Sequence, residues 1–460
     1  MIWKLERPKR AALPNSYFWT WDHSTNWVLD DPGLQNFGCA NRYLKRPETF
    51  VEDYRRLTDL AAGLGVKGIL IWGFLRDSHG GVEYSKRVAD YAASKGVAIM
   101  PGIGTTWYGG IYYEGDHPYN IETFVRENPD ARMVDEKGES HEHGACPTHP
   151  AYLDWLTESI QWLFREFAIG GANLENGDFL VCHEPRCKAQ KAQWPPDDPD
   201  FFCLQALSYV PALEAVADQL KDKLVTYATY TGFLPGSDPE RKSHRFMNCE
   251  RPAMFDRLHP DGICQWTITE MVHFDQLPLT TFLDDGAPAE AFDNPRWPND
   301  VKPPSNRSCG FLHQASQWNW VPRYEMAVSA IKEGCLKAYR TGLEGVSIHG
   351  EVTSRHIPWA LNYLAFSHFI HWPEDSLREF GRKTMGQVLG GEDEGEHFVE
   401  LLAAYDAGTI AEAQKKELSQ RRWGYKAGLP QLGDLDRYRF WAWLDRVASG
   451  QPEKHTASWF

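Results

Sequence analysis

A chain of 460 residues, 42% hydrophobic and 24% charged, has ordinary globular composition and is long enough for a barrel-sized core. Its net charge of −15, from 63 acidic against 48 Lys and Arg residues with no block of consecutive basic residues, argues against a nucleic-acid partner. No window approaches the roughly 18 uninterrupted apolar residues of a membrane span, and the start, MIWKLERPKRAALPNSYF, lacks an apolar stretch of signal-peptide length, so the expectation is a soluble, cytoplasmic chain with no membrane partner.

The elements alternate along the chain. SYFWTWDHS (16–24) reads as a first strand. In the segment after it, Phe50, Tyr54, Leu57, Ala61 and Leu64 recur at helical spacing and Gly65 supplies a stop. VKGILIWGFL (66–75) with a helix near 83–95, and VAIMPGIG (97–104), continue the rhythm. Residues 105–150 form a long polar and aromatic insertion after strand three. A helix near 151–168 leads to a fourth strand in GGANLENGDF. LVTYATYTGF (224–233), GICQWTITE (262–270), SNRSCGFLHQASQW (305–318) and LEGVSIHGEVTS (343–354) supply strands five to eight. The last two are followed by helical runs at 324–341 and in PWALNYLAFSHFI.

Eight such alternations predict an α/β fold, a (β/α)8 TIM barrel, over an open doubly wound sheet. No phosphate-cradling glycine fingerprint follows the first strand. GIGTTWYGG, after strand three, reads as a glycine turn. Residues 1–372 are expected to form the barrel and 373–460 a C-terminal helical extension packed on it.

In this architecture the C-terminal ends of the strands carry the chemistry. Period-two alternation sends Ala172 and Leu174 toward the helices, and Asn173 and Glu175 into the barrel near its mouth. The Asn176-Gly177 turn then frees Asp178 to swing beside Glu175. On strand eight, Val346 and Ile348 share one face while Ser347, His349 and Glu351 share the other. Two strands thus deliver carboxylates to one rim, the requirement of glycoside hydrolysis, with one acid donating a proton and one carboxylate acting at the anomeric carbon or on water. A rim ion network is the competing reading for these acids.

Asp22 and His23 close strand one, and Glu270 ends strand six, joining the interior set only if the chain turns at Thr269. His313, Gln314 and Trp318 after strand seven, with Trp107 and Tyr108 in the insertion, are candidates for substrate contacts. An aromatic content of 13%, with 19 Trp and 19 Tyr, suits the flat faces of sugar rings. Nine cysteines scattered over the chain do not imply a disulfide framework. Cys182, His183 and Cys187 offer three soft ligands, but no second closely spaced pair stands elsewhere to complete a zinc site. His141, His143, Cys146 and His149 form another loose cluster in the insertion. A sugar-binding rim or plain loop is the expected role of both clusters, with neither a metal nor a cofactor expected.

LENGDF (174–179) followed by Cys182 and Cys187, together with GEVTSRHIPWALNYLAFSHFIHWP (350–373), resembles bacterial glycoside hydrolase-like barrels in the style of α-glucuronidases and β-hexosaminidases. The resemblance covers about residues 16–372. It implies a proton donor at the end of strand four, at Glu175 or Asp178, and leaves Glu351 to the barrel argument. The sequence departs from the hexosaminidase pattern in having Glu175-Asn-Gly-Asp178 in place of an adjacent Asp-Glu pair, which argues against a substrate-assisted mechanism. The expected activity is hydrolysis of an oligosaccharide or glycoside. A metal-dependent sugar isomerase, epimerase or lyase on the same barrel, and a non-catalytic carbohydrate-binding barrel, are the alternatives.

Overall fold

The computed structural model describes residues 5–22, 45–176, 180–196, 198, 200–228, 253–269, 277–284, 305–312, 326–349, 357–414 and 416. Its centre is a closed parallel barrel of eight strands: β1 (Tyr17–Trp21), β2 (Gly68–Trp72), β3 (Ala98–Gly104), β6 (Gly171–Glu175), β7 (Leu224–Ala228), β8 (Ile263–Thr269), β9 (Ser308–Leu312) and β10 (Val346–His349). β1 closes the ring by pairing with β10, Trp19 opposite His349. These are the eight strands read from the sequence.

Each strand alternates between two cores. Phe18, Ile69, Ile71, Ile99, Ile103, Leu174, Val346 and Ile348 belong to the layer between strands and helices. Tyr17, Trp19, Trp21, Leu70, Trp72, Met100, Cys309 and Phe311 form a separate buried cluster, the filling of the barrel itself. Both faces are covered, which is why the strands carry few charged side chains.

The helix α1 (Pro47–Leu64) shows how the outer layer is specified. Proline occupies the first turn, where its missing N–H costs nothing, and Gly65 ends the helix in the left-handed region at φ 73°. Phe50, Tyr54, Leu57, Ala61 and Leu64 are all buried against the sheet. Burial of each large member contributes roughly 1.5–3 kcal/mol. The further helices α2 (Gly81–Ser94), α4 (Pro150–Glu166), α6 (Asp200–Glu214), α7 (Val328–Arg340) and α8 (Ile357–His371) follow strands in the same manner.

The insertion after β3 is not merely loop. It contains α3 (Ile121–Glu127) and an antiparallel hairpin of β4 (Arg132–Val134) and β5 (Ser140–Ala145). A further short helix, α5 (Pro185–Lys191), follows β6. Beyond α8, helical stretches at Leu377–Phe380, Gly381–Met385, Gly386–Leu389 and Glu392–Asp406 place Leu377, Phe380, Met385, Phe398 and Leu402 in the same buried cluster as α8. Among the described residues, no helix is long and apolar enough to cross a membrane.

Candidate active site

β6 sets the geometry of the mouth. Ala172 and Leu174 pack with the helices. Asn173 lies inside the barrel, its Nδ2 donating to Thr226 Oγ1 and to Gln265 Oε1, both at 2.8 Å. Strand periodicity gives Glu175 the same face, one layer nearer the C-terminal rim. The residue is buried, 6% exposed.

Several bonds fix the backbone that carries Glu175. Gly104 of β3 is its partner across the ladder, and the next amide, Thr105 N–H, donates to the Glu175 carbonyl at 2.8 Å. The Thr105 hydroxyl reaches Asn176 Oδ1 at 2.7 Å and Ser208 Oγ of α6 at 3.0 Å. Asn176 Nδ2, also buried, has no partner among the described residues. Tyr209, the neighbour of Ser208, donates its hydroxyl to the Ala228 carbonyl at 2.9 Å. Burial, reinforced by the charge of Glu175, holds the Tyr209 phenol well above its ordinary pKa. Tyr209 is therefore a permanent donor near neutral pH.

Aromatic rings fill the space below the rim. Trp19 and Trp21 meet edge to face at 5.7 Å, and Trp21 lies 5.5 Å from Trp72. His349, at the end of β10, sits between Trp19 at 4.9 Å and Phe311 at 5.2 Å, and is 1% exposed. Up to His349 the alternation read on strand eight is found, with Val346 and Ile348 in the outer layer and His349 against the barrel rings.

The insertion carries a cavity of its own. Trp107 and Tyr108 line a cavity of about 430 Å³ with Tyr113, Glu114, Asn120 and Arg126. Tyr108 has φ 56°, the one non-glycine left-handed residue among those described, followed by Gly109 at 76° and Gly110 at 79°. Left-handed backbone at a bulky residue is strained and is found disproportionately at binding sites. A larger cavity, about 580 Å³, is lined by Val66, Lys67 and Val97, just before β2 and β3, and so lies at the opposite end of the barrel from the strand C-termini.

Asp22 is part of an ion network. Arg76, in the loop after β2, donates from Nε at 2.9 Å and from Nη2 at 3.3 Å, and His79 Nε2 lies 3.4 Å away. Arg76 also pairs with Glu114 and lies over the Tyr113 ring at 4.6 Å. Arg76 was not singled out by the sequence, although a charged residue four positions beyond a strand end was a usable signal.

The two Cys/His clusters are rearranged. His141 and His143, on one face of β5, flank the edge of Trp107 at 5.8 and 6.1 Å. His149 precedes α4, with Nε2 3.5 Å from Asp130. Cys146 instead turns inward to meet Cys182 and Cys187, and the three sulfurs lie within 4.8 Å of one another. Hydrogen bonds from Cys182 and Cys187 push the Cys146 thiol pKa down, while hydrogen bonding to Cys146 pushes that of Cys187 up.

Of the other sequence candidates, His23, Asp178, Glu270, His313, Gln314, Trp318 and Glu351 lie outside the described residues. β8 does carry a register irregularity between Thr267 and Thr269, just before Glu270.

No family model and no curated protein matches the sequence. Solved structures similar to the chain include a GH138 enzyme targeting pectin rhamnogalacturonan II, 11% identical with a TM-score of 0.46, where 90% of this chain and 45% of that one are covered. A GH20 exo-β-N-acetylglucosaminidase from Vibrio harveyi is 10% identical with a TM-score of 0.43, covering 88% of this chain and 62% of that one. α-L-Fucosidase isoenzyme 2 from Paenibacillus thiaminolyticus is 14% identical with a TM-score of 0.40, covering 77% and 49%. The chain spans less than two thirds of the length of each of these structures.

Proposed function

We infer that the chain is a carbohydrate-active hydrolase that cleaves a glycosidic bond at the C-terminal face of its barrel. The observation that carries the reading is the position of Glu175: a buried carboxyl group ending β6, on a backbone held from β3 by Thr105, at the mouth of an aromatic-lined parallel barrel. Strand C-termini are where barrel enzymes keep their catalytic groups. Indole and phenol faces such as Trp107 and Tyr108 are suited to the C–H faces of a sugar ring.

In this reading Glu175 is the general acid. It protonates the glycosidic oxygen as the bond to the anomeric carbon breaks, and a second carboxylate, Asp178 or Glu351, acts at the anomeric carbon or activates the attacking water. Trp107 and Tyr108 would bind and orient the saccharide, with Asn173 and His349 supporting the rim from inside the barrel, His23, Glu270, His313, Gln314 and Trp318 as rim contacts, and Asp22 contributing through the network it shares with Arg76.

The test is Glu175→Gln, which keeps shape and removes the proton. On a panel of aryl glycosides, natural oligosaccharides and polyuronides, loss of turnover by a factor of about 10²–10⁴ with unchanged folding is expected. Wild-type turnover in the variant would remove Glu175 from the acid role. Smaller losses on substrates with good leaving groups than on natural linkages would mark it as the proton donor.

A further inference from the structure

The two clusters that look incomplete in sequence become one site in space. Cys146 follows the β5 strand of the insertion, whereas Cys187, 41 positions on, lies in the helix α5 beyond β6. Cys182 lies in the segment that leads from β6 to α5. The Cys146 and Cys187 sulfurs are 3.5 Å apart, and all three sulfurs fit within 4.8 Å. Tetrahedral zinc with bonds of about 2.3 Å to sulfur needs sulfurs about 3.8 Å apart, so small side-chain adjustments would close the triad on an ion. No other group of three or more His, Cys, Asp or Glu side chains among the described residues converges in this way.

We propose that Cys146, Cys182 and Cys187 bind a zinc ion that ties the insertion after β3 to the segment after β6. Buried cysteines often serve only as small apolar side chains. Cys335 is such a case, fully buried in the hydrophobic core. The triad differs in three respects. First, its members come from two segments distant in sequence. Second, the Thr148 hydroxyl lies 3.2 Å from both the Cys146 and the Cys187 sulfur, placed to donate to a metal-bound thiolate. Third, a cavity of about 130 Å³ opens beside it, with Cys203, His183, Lys188 and Lys191 on its walls along with Cys182 and Cys187.

That cavity gives an ion its entry path and offers the fourth coordination position to water, to His183 or to Cys203. Lys188, on the same wall, offsets the single excess negative charge of three thiolates around a dication, while Lys191 pairs with Asp200 at 3.8 Å. Binding exchanges the thiol protons for the metal, with no change of oxidation state. The tie is structural, and it holds whether or not the barrel hydrolyses glycosides. It fastens the loop that leaves the barrel directly after Glu175 to the hairpin whose histidines flank Trp107, adding to the backbone bond from His183 N–H to the Val134 carbonyl at 2.7 Å.

The experiment uses the full chain, expressed with zinc in the medium, purified under reducing conditions without chelator, and analysed for metal by plasma mass spectrometry. Stoichiometric zinc is expected, lost in Cys146→Ser, Cys182→Ser and Cys187→Ser and retained in His143→Ala. Because a serine at a buried site could itself unfold the protein, the wild type is also exchanged with cobalt, where intense tetrahedral bands and thiolate-to-cobalt charge transfer are expected. A wild type that binds no zinc on reconstitution, a cobalt spectrum without thiolate bands, or a chain lighter by the two hydrogens of a Cys146–Cys187 disulfide would each overturn the proposal.

Discussion

Thr105 holds Glu175 from the neighbouring strand, its amide donating to the Glu175 carbonyl at 2.8 Å while its hydroxyl spans Asn176 at 2.7 Å and Ser208 at 3.0 Å. Thr105→Val keeps the shape and removes only the hydroxyl, leaving the buried Asn176 and Ser208 groups a partner short. A loss of about 1–3 kcal/mol is expected in denaturant unfolding. Since a carboxyl group that donates a proton must be held within a fraction of an ångström, kcat on a responsive glycoside should fall while KM changes little. Thr105→Ser should restore both. An unaltered kcat at reduced stability would confine Thr105 to folding.

Gly104 ends β3 with no room for a side chain. A Cβ there would lie 1.8 Å from the Trp107 carbonyl oxygen and 2.8 Å from that of Tyr108, both backbone atoms. Gly104→Ala must therefore displace the turn that presents Trp107 and Tyr108, and overpacking of this kind costs about 1–3 kcal/mol. Saccharide binding should weaken with it, measurable as a raised KM or as lost calorimetric heat. Unchanged affinity in a folded Gly104→Ala protein would separate the 107–108 turn from the substrate.

The Asp22–Arg76 pair permits a separation of roles. Both side chains are almost fully buried, so Arg76→Met leaves a carboxylate without its nearest cation, a change that costs about 3–5 kcal/mol. Adding Asp22→Asn should recover most of that loss. If Asp22 also touches the saccharide, the double variant regains its thermal midpoint but keeps a raised KM. Recovery of both quantities together would make Asp22 purely structural.

What could be read from the sequence follows from the range of each signal. Ala172, Asn173 and Leu174 announce their faces by adjacency, and Phe50 to Leu64 by helical spacing, so strand and helix are local information. The β4–β5 hairpin is hidden because SHEHGA has no apolar alternation. It is held instead by a turn in which Asp135 Oδ1 accepts from Lys137 N–H at 2.9 Å and Glu139 N–H at 2.8 Å, with Gly138 at φ 86°. The meeting of Cys146 with Cys187 is hidden for a different reason. Ligand-spacing patterns look for close pairs, and this pair is made by the fold bringing an insertion against a strand-end loop. Arg76 escaped because its partners, Asp22 and Glu114, each lie 38 or more positions away.

His368 gives the fold a dependence on acid. It is 1% exposed in α8, with Nδ1 2.9 Å from the Thr384 hydroxyl and Nε2 3.4 Å from Asp375, which Lys383 also holds at 2.7 Å. Burial lowers its pKa to about 4, the nearby Asp375 carboxylate opposing the shift only in part. The unfolded chain takes up this proton near pH 6.5, whereas the folded protein refuses it until about 4, so the unfolded state binds more protons throughout that window. Stability on the order of 3 kcal/mol is thus present above pH 6.5 and drains away as the pH falls toward 4. His368→Gln, which does not titrate, should start less stable at pH 7.5 and approach the wild type by pH 4.5 when both are unfolded in urea. Parallel stability curves for the two proteins across that range would mean that His368 takes up its proton equally in both states.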